Sequence, residues 1–188
     1  MNPVLSFMRA ALRPLGVAIT RPDTLSDLVR DRRNLERTRA FLGFMGTLTP
    51  NAAARALRLF PTSRGENFQD IFVMLLLQEQ ATGFFVEFGA TDGVSGSNTY
   101  LMEKSYGWSG ILAEPACCWH AALQRNRNVK ISHKCVWRET GALLPFCETR
   151  DAGFSTLEAL TAKDRHVTRR IAASIYNVDT ITLSQLLV

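Results

Sequence analysis

Phe84-Phe85-Val86-Glu87-Phe88-Gly89-Ala90-Thr91-Asp92-Gly93 is the stretch on which the fold turns. Its first five residues are apolar on both faces except at Glu87. Such a run belongs to a strand at the centre of a sheet covered by helices. Gly89 to Gly96 then reads as a glycine-rich turn, because glycine lets the backbone turn sharply and approach a ligand without a side chain in the way. Downstream, a helix to about Tyr106 is closed by Gly107. Gly110 to Glu114 reads as a second strand. Pro115 opens a helix that ends near Asn126 or Asn128, and Val129 to Trp137 reads as a third strand. The order β-α-β-α-β is half of a doubly wound, Rossmann-like α/β sheet.

Upstream of Phe84 the sequence reads as helices. Thr24 and Asp27 are spaced as a capping box at the start of the longest one. Leu25, Leu28, Val29, Leu35, Phe41, Leu42 and Met45 form its apolar stripe, and Gly46 and Pro50 end it. Asn51 is positioned to cap a short helix through Phe60. Pro61 to Asn67 has the composition of a loop and sets the expected boundary between a helical extension, 1–64, and the main domain, 65–188. A helix over Asn67 to about Ala81 leads into the first strand. Beyond the third strand, Ala142 to Cys147 reads as a further strand. Leu157 to Ile175 reads as a helix, and Asp179 to Val188 as a short strand and the start of a helix.

Hydrophobic residues make up 46% of the 188, far more than a disordered chain carries. No run approaches the roughly 18 apolar residues of a membrane span, so no transmembrane segment is expected. Arg9 and Arg13 interrupt the apolar part of Met1 to Thr20. That argues against a secretory leader and leaves an amphipathic segment. The net charge of +5 sits entirely in residues 1–70, where 11 Arg face 6 acids; residues 71–188 balance 11 bases against 11 acids. Arg30, Arg32, Arg33, Arg37 and Arg39 alternate with Asp27, Asp31 and Glu36, the pattern of a solvated, salt-bridged helix face. No nucleic-acid partner is therefore expected. Cys117, Cys118, His120, His133 and Cys135 match no common zinc spacing, and no metal is assigned. Reduced thiols without a leader point to the cytoplasm.

Two carboxylates give the turn its chemical character. Glu114, at the end of the second strand, stands where an acid accepts the hydroxyls of an adenosine ribose. Nicotinamide dinucleotides and S-adenosylmethionine both carry that ribose. The glycine spacing Gly89-x-x-x-Gly93 departs from the dinucleotide fingerprint, and Asp92 inside the turn would repel a pyrophosphate. Glu87 and Asp92 suit the sulfonium and ammonium of S-adenosylmethionine instead.

Phe85-Val-Glu-Phe-Gly-Ala-Thr-Asp-Gly93, Ser97-Asn-Thr-Tyr-Leu-Met-Glu103, Gly107-Trp-Ser-Gly-Ile-Leu-Ala-Glu-Pro115 and Thr180-Ile-Thr-Leu-Ser-Gln-Leu-Leu187 together resemble the FkbM family of methyltransferases. Asn67-Phe-Gln-Asp70 resembles the segment before that family's first strand. The resemblance covers about residues 65–188. It implies a class I methyltransferase fold, S-adenosylmethionine as methyl donor, and a small-molecule or glycan hydroxyl as acceptor. It also implies that Gly89, Ala90, Asp92 and Gly93 surround the methionine part, Asn98 lies near the cofactor, Glu114 binds the ribose, and Cys135 to Trp137 lie near the adenine. The family has further strands after its Thr-Ile-Thr-Leu segment, one of them beside the first strand. The chain therefore reads as C-terminally truncated. An open edge on Phe84 to Phe88 would then be available for a homodimer. No catalytic base is nominated, since His120, His133 and His166 fall in no recognisable catalytic context. The alternative is a catalytically inactive fragment or interaction module that keeps the cofactor-binding half.

Overall fold

A computed structural model describes residues 22–163, 166–170 and 174–188. The amphipathic segment expected before residue 21 lies outside them. So does part of the helix expected over 157–175. The chain divides into two units at Leu48/Thr49.

The first unit contributes one described helix, α1 (Pro22–Met45). The second opens with α2 (Pro50–Leu59), so this helix belongs with the α/β body and not with the extension to which the loop composition assigned it. Its cap is Thr49, whose hydroxyl accepts from Ala52 N–H, and Pro50 is the first helical residue and not the end of the preceding helix. Proline fits there because its missing N–H would have no partner in a first turn. Asp70 ties the loop after α2 to α3 (Gln69–Leu76): its buried carboxylate accepts from Ser63 Oγ, Arg64 N–H and Gly65 N–H. Helix α3 ends earlier than the expected Ala81, because Gln78 and Glu79 take positive φ of 53° and 57°. Glu79 then accepts from Arg55 at 2.6 Å and Tyr106 at 2.9 Å, and the Arg55 hydrogen bond holds its carboxyl below its ordinary value.

The body is mixed α/β. Strands β1 (Phe84–Phe88), β2 (Ser109–Ala113) and β3 (Lys130–Ser132) form a parallel sheet in that order, joined through α4 (Tyr100–Tyr106) and α5 (Cys117–Asn126). β1 is an edge of this sheet, with Phe84 and Phe88 exposed. β2 is buried along Gly110–Ala113. On one face Ile111 and Ala113 pack with Leu186 of α6 (Leu183–Leu186) and with Val86. On the other, Phe85 lies directly against Gly110, its register partner. A Cβ at Gly110 would fall 2.4 Å from ring carbons of Phe85 and 2.6 Å from its carbonyl oxygen. The carbonyl belongs to the strand and cannot step aside. Gly110→Ala should therefore cost about 1–3 kcal/mol through overpacking, read as a lower urea midpoint at unchanged slope. An unchanged midpoint would mean the two strands separate more easily than their register implies.

The third strand departs from expectation. The run 129–137 splits into β3 and β4 (Cys135–Val136), which lie in different sheets. The break falls at exposed His133 and Lys134, where Ser132 Oγ accepts Lys134 N–H and turns the chain. A second sheet has the order β4-β7-β5-β6, built from β4, β5 (Leu143–Glu148), β6 (Thr156–Leu157) and β7 (Ser174–Ile181). β4 runs parallel to β7, and the other pairings are antiparallel. Among the described residues, the stretch 157–175 expected as a helix holds the end of β6, short 3-10 turns at Glu158–Leu160 and Val167–Arg169, and the start of β7. Two carbonyls in this region, those of Phe154 and Thr161, accept from the Arg170 guanidinium. Leu157 and Leu160 pack into the second sheet's core with Phe146 and Val178.

Candidate functional site

A cleft of about 300 Å³ opens at the carboxyl ends of the parallel strands. This end of an open α/β sheet is where ligands bind, because successive crossovers leave a crevice there. Phe88 and Gly89 line it from β1, Ala113 and Glu114 from β2, and Cys135 to Trp137 from β4. Phe146, Leu157 and Leu160 of the second sheet supply an apolar wall.

Glu114 is the chemical centre of the cleft. It is 4% exposed. Its Oε2 accepts from Thr91 N–H at 2.8 Å and its Oε1 from Ala116 N–H at 2.8 Å. Burial pushes its carboxyl above the ordinary value, against the opposing pull of those two N–H groups. A carboxylate offers about four lone-pair positions, so two remain for a ligand. Gly89, at φ +70°, places backbone and no side chain beside it.

The remaining residues singled out in the sequence stand behind the cleft and do not line it. The Glu87 carboxylate accepts from Ser97 Oγ at 2.9 Å, Asn98 N–H at 2.9 Å and Thr99 Oγ1 at 2.6 Å. It therefore caps the entry to α4. Asp92 accepts from Val94 N–H, Ser95 N–H and Ser95 Oγ at 2.7–2.8 Å. Burial raises its carboxyl, but these hydrogen bonds outweigh that effect and leave it lowered. Ala90 is buried. Gly93, at φ +76°, leaves no room for a side chain: a Cβ there would meet Arg127 Cγ at 2.6 Å. Asn98 is exposed, with its N–H on Glu87.

Two participants escape a reading of the sequence. Thr91, at φ +49°, turns its N–H onto Glu114 and so joins the turn to the second strand. Arg127, with a side chain 0% exposed, holds the turn from beneath. It donates to Glu103, to Gly93 O at 3.0 Å, to Ser97 Oγ at 3.1 Å and to Thr99 Oγ1 at 3.0 Å, and it lies 3.8 Å from Glu87. Its guanidinium also sits over the rings of Phe85 and Tyr100, at 5.5 and 5.8 Å. Nothing local marks Arg127, because every one of these hydrogen-bond partners lies at least 24 residues away.

The turn is thus stitched by carboxylates. The N–H groups of Thr91, Val94, Ser95 and Asn98 all point at Glu114, Asp92 or Glu87. Among the described residues no helix is long and apolar enough to cross a membrane. No family model, curated protein or solved structure matches the chain.

Proposed function

We propose that the cleft takes S-adenosylmethionine, and that the chain is a Rossmann-like, class I methyltransferase of the FkbM type acting on a sugar or natural-product hydroxyl. The observation that carries this reading is the carboxylate capping of the turn. A pyrophosphate needs free N–H groups at a glycine-rich turn and helix start. Here those donors are already engaged by Glu87, Asp92 and Glu114. A dinucleotide in the cleft would find the Thr91 N–H already held and the Glu114 carboxylate beside it. A ligand without phosphate, carrying a positive sulfonium, meets no such conflict.

The residues present suit such a ligand. Glu114 keeps lone pairs for the two ribose hydroxyls. Gly89 lets the backbone approach the methionine part. Trp137, Phe146, Leu157 and Leu160 form an apolar wall of the kind an adenine ring packs against. When bound, S-adenosylmethionine supplies an electrophilic methyl group. The protein's part is to hold that group in line with the acceptor, and alignment of this kind lowers barriers by about 7–11 kcal/mol.

Calorimetric titration with S-adenosylmethionine, and with NAD as the control, tests the reading. The expected result is saturable binding of S-adenosylmethionine and none of NAD. Binding of NAD, or no binding of either by protein with a cooperative unfolding transition, would overturn it.

A further inference from the structure

Helix α1 carries a leucine stripe that is open to solvent. Leu25 and Leu28 are each 55% exposed, Leu35 is 71% exposed and Leu42 is 61% exposed. Leu28, Leu35 and Leu42 are seven residues apart, and an α-helix drifts only about 20° per heptad, so they form one seam. Three residues before each of them, at the companion positions of the heptad, stand Leu25, Arg32 and Arg39. At 24 residues the helix spans more than three heptads. Phe41, by contrast, is 2% exposed and lies off this seam, so the leucines form a second, separate face.

We propose that this seam pairs antiparallel with the same seam of a second copy of the chain. The spacing is self-complementary in that direction. With the two-fold axis between Arg33 and Asn34, Leu25 faces Leu42 of the second copy, Leu28 faces Arg39, and Arg32 faces Leu35. Every layer of the seam then contains a leucine, and the arginines lay their stems on leucine while their heads reach outward. Asp31 of the second copy, at the margin of the seam three residues from Leu28, lies beside Arg39. A parallel pair would instead set Arg32 on Arg32 and Arg39 on Arg39, two like-charge layers. The charge of the helix also selects this occupant over a polyanion. Five arginines are set against Asp23, Asp27, Asp31 and Glu36, leaving one net positive charge over 24 residues. An anionic lipid surface or a nucleic acid is held by a basic excess that this helix lacks. The inference stands apart from the cofactor reading and does not need it.

Sedimentation equilibrium of the full chain tests it. The expected species is a dimer of the 21.0 kDa chain. Leu35→Glu should raise the dissociation constant by about 100-fold or more, because the two-fold removes two buried leucines at once. Leu35 is exposed in the single chain, so the circular dichroism spectrum of the variant should be unchanged. Phe84→Lys, at the open edge of β1, should leave the dimer intact. In a background with Cys117 and Cys118 replaced by serine, Leu25→Cys with Leu42→Cys should oxidise to a covalent dimer, while Leu25→Cys alone should not. The proposal is overturned by a wild-type chain that stays monomeric at about 100 μM, or by a dimer abolished by Phe84→Lys and untouched by Leu35→Glu. Cross-linking through Leu25→Cys alone overturns it as well, as does a monomer that instead floats with phosphatidylserine vesicles.

Discussion

Replacing Arg127 with methionine should destabilise the protein by about 3–5 kcal/mol, a larger loss than overpacking at Gly110 would cause. Methionine keeps most of the apolar stem and removes the guanidinium. Glu103, whose side chain is 7% exposed, then loses its buried cation, and Glu87 at 12% exposure loses the nearest positive charge. The hydroxyls of Ser97 and Thr99 and the carbonyl of Gly93 lose a donor in the same step. Glu103 retains Lys104 and Asn128 N–H, which limits the loss on that side. Arg127→Lys should recover only part of it, because an ammonium has no planar fork with which to reach Glu103, Gly93 and Thr99 together. The double variant Arg127→Met, Glu103→Gln should be more stable than the sum of the single effects predicts, since it no longer buries a bare carboxylate. Guanidinium denaturation of wild type and these variants, with Glu103→Gln alone as the fifth protein, measures all of this. A loss below about 1 kcal/mol for Arg127→Met would mean the network is ornamental and the turn is held by its own carboxylates.

The contrast between Arg127 and Glu114 shows what the sequence exposes and what it hides. Glu114 is legible because its place follows from position: an acid at the end of a short apolar strand, a fixed distance after a glycine turn. β1 is legible as a strand because its five residues are bounded by Gly83 and Gly89, but its expected central, covered place is not what forms: it is an edge, with Phe84 and Phe88 exposed. Gly107 is legible as a helix stop, and it takes the left-handed φ of 66° that such a stop requires. Arg127 gives no sign because it sits between two asparagines at a helix end, where an arginine is ordinarily solvated. Only the folded chain brings Glu87, Gly93, Ser97, Thr99 and Glu103 around it.

Mistaken element types have the same origin. A run such as Val129 to Trp137 carries no mark of the point where a strand leaves one sheet for another, because the pairing partners that separate β3 from β4 are Ile111–Ala113 and Thr180–Ile181. Leu157 and Leu160 satisfy a helical spacing equally well as one turn of 3-10 helix, and the long-range pairing of Leu157 with Phe146 decides between them. Glu87 and Asp92 are visible in the sequence as acids of the turn, but the direction they face is not. Composition places negative charge in the turn, whereas the hydrogen bonds turn both carboxylates onto backbone donors.

Glu114→Ala should weaken S-adenosylmethionine binding by about 100-fold or more, the expectation for losing two charge-assisted hydrogen bonds of about 1.5–3 kcal/mol each to a ribose. This rests on the proposed cofactor. The same substitution strips Thr91 N–H and Ala116 N–H of their acceptor, so part of the loss would come through a loosened turn. Glu114→Gln separates the two effects. Its single carbonyl oxygen serves only one of those N–H groups, and it offers no charge to the hydroxyls. If affinity follows the ribose contact, Gln should bind nearly as weakly as Ala while unfolding closer to wild type. The pH dependence gives an independent sign. Burial raises the folded-state pKa of Glu114 above its unfolded value, so the folded protein holds this proton more tightly. Its contribution to stability is present below the unfolded pKa and is lost as pH rises through the folded pKa. Ligand affinity runs the opposite way, because only the ionised carboxylate accepts from both hydroxyls. Affinity should fall as pH is lowered through that raised pKa, and Glu114→Gln should flatten this profile. Titration calorimetry through that pKa, on wild type and both variants, measures it. Unchanged affinity in a folded Glu114→Ala protein would remove the ribose from this carboxylate and leave Glu114 as the clasp between the turn and β2.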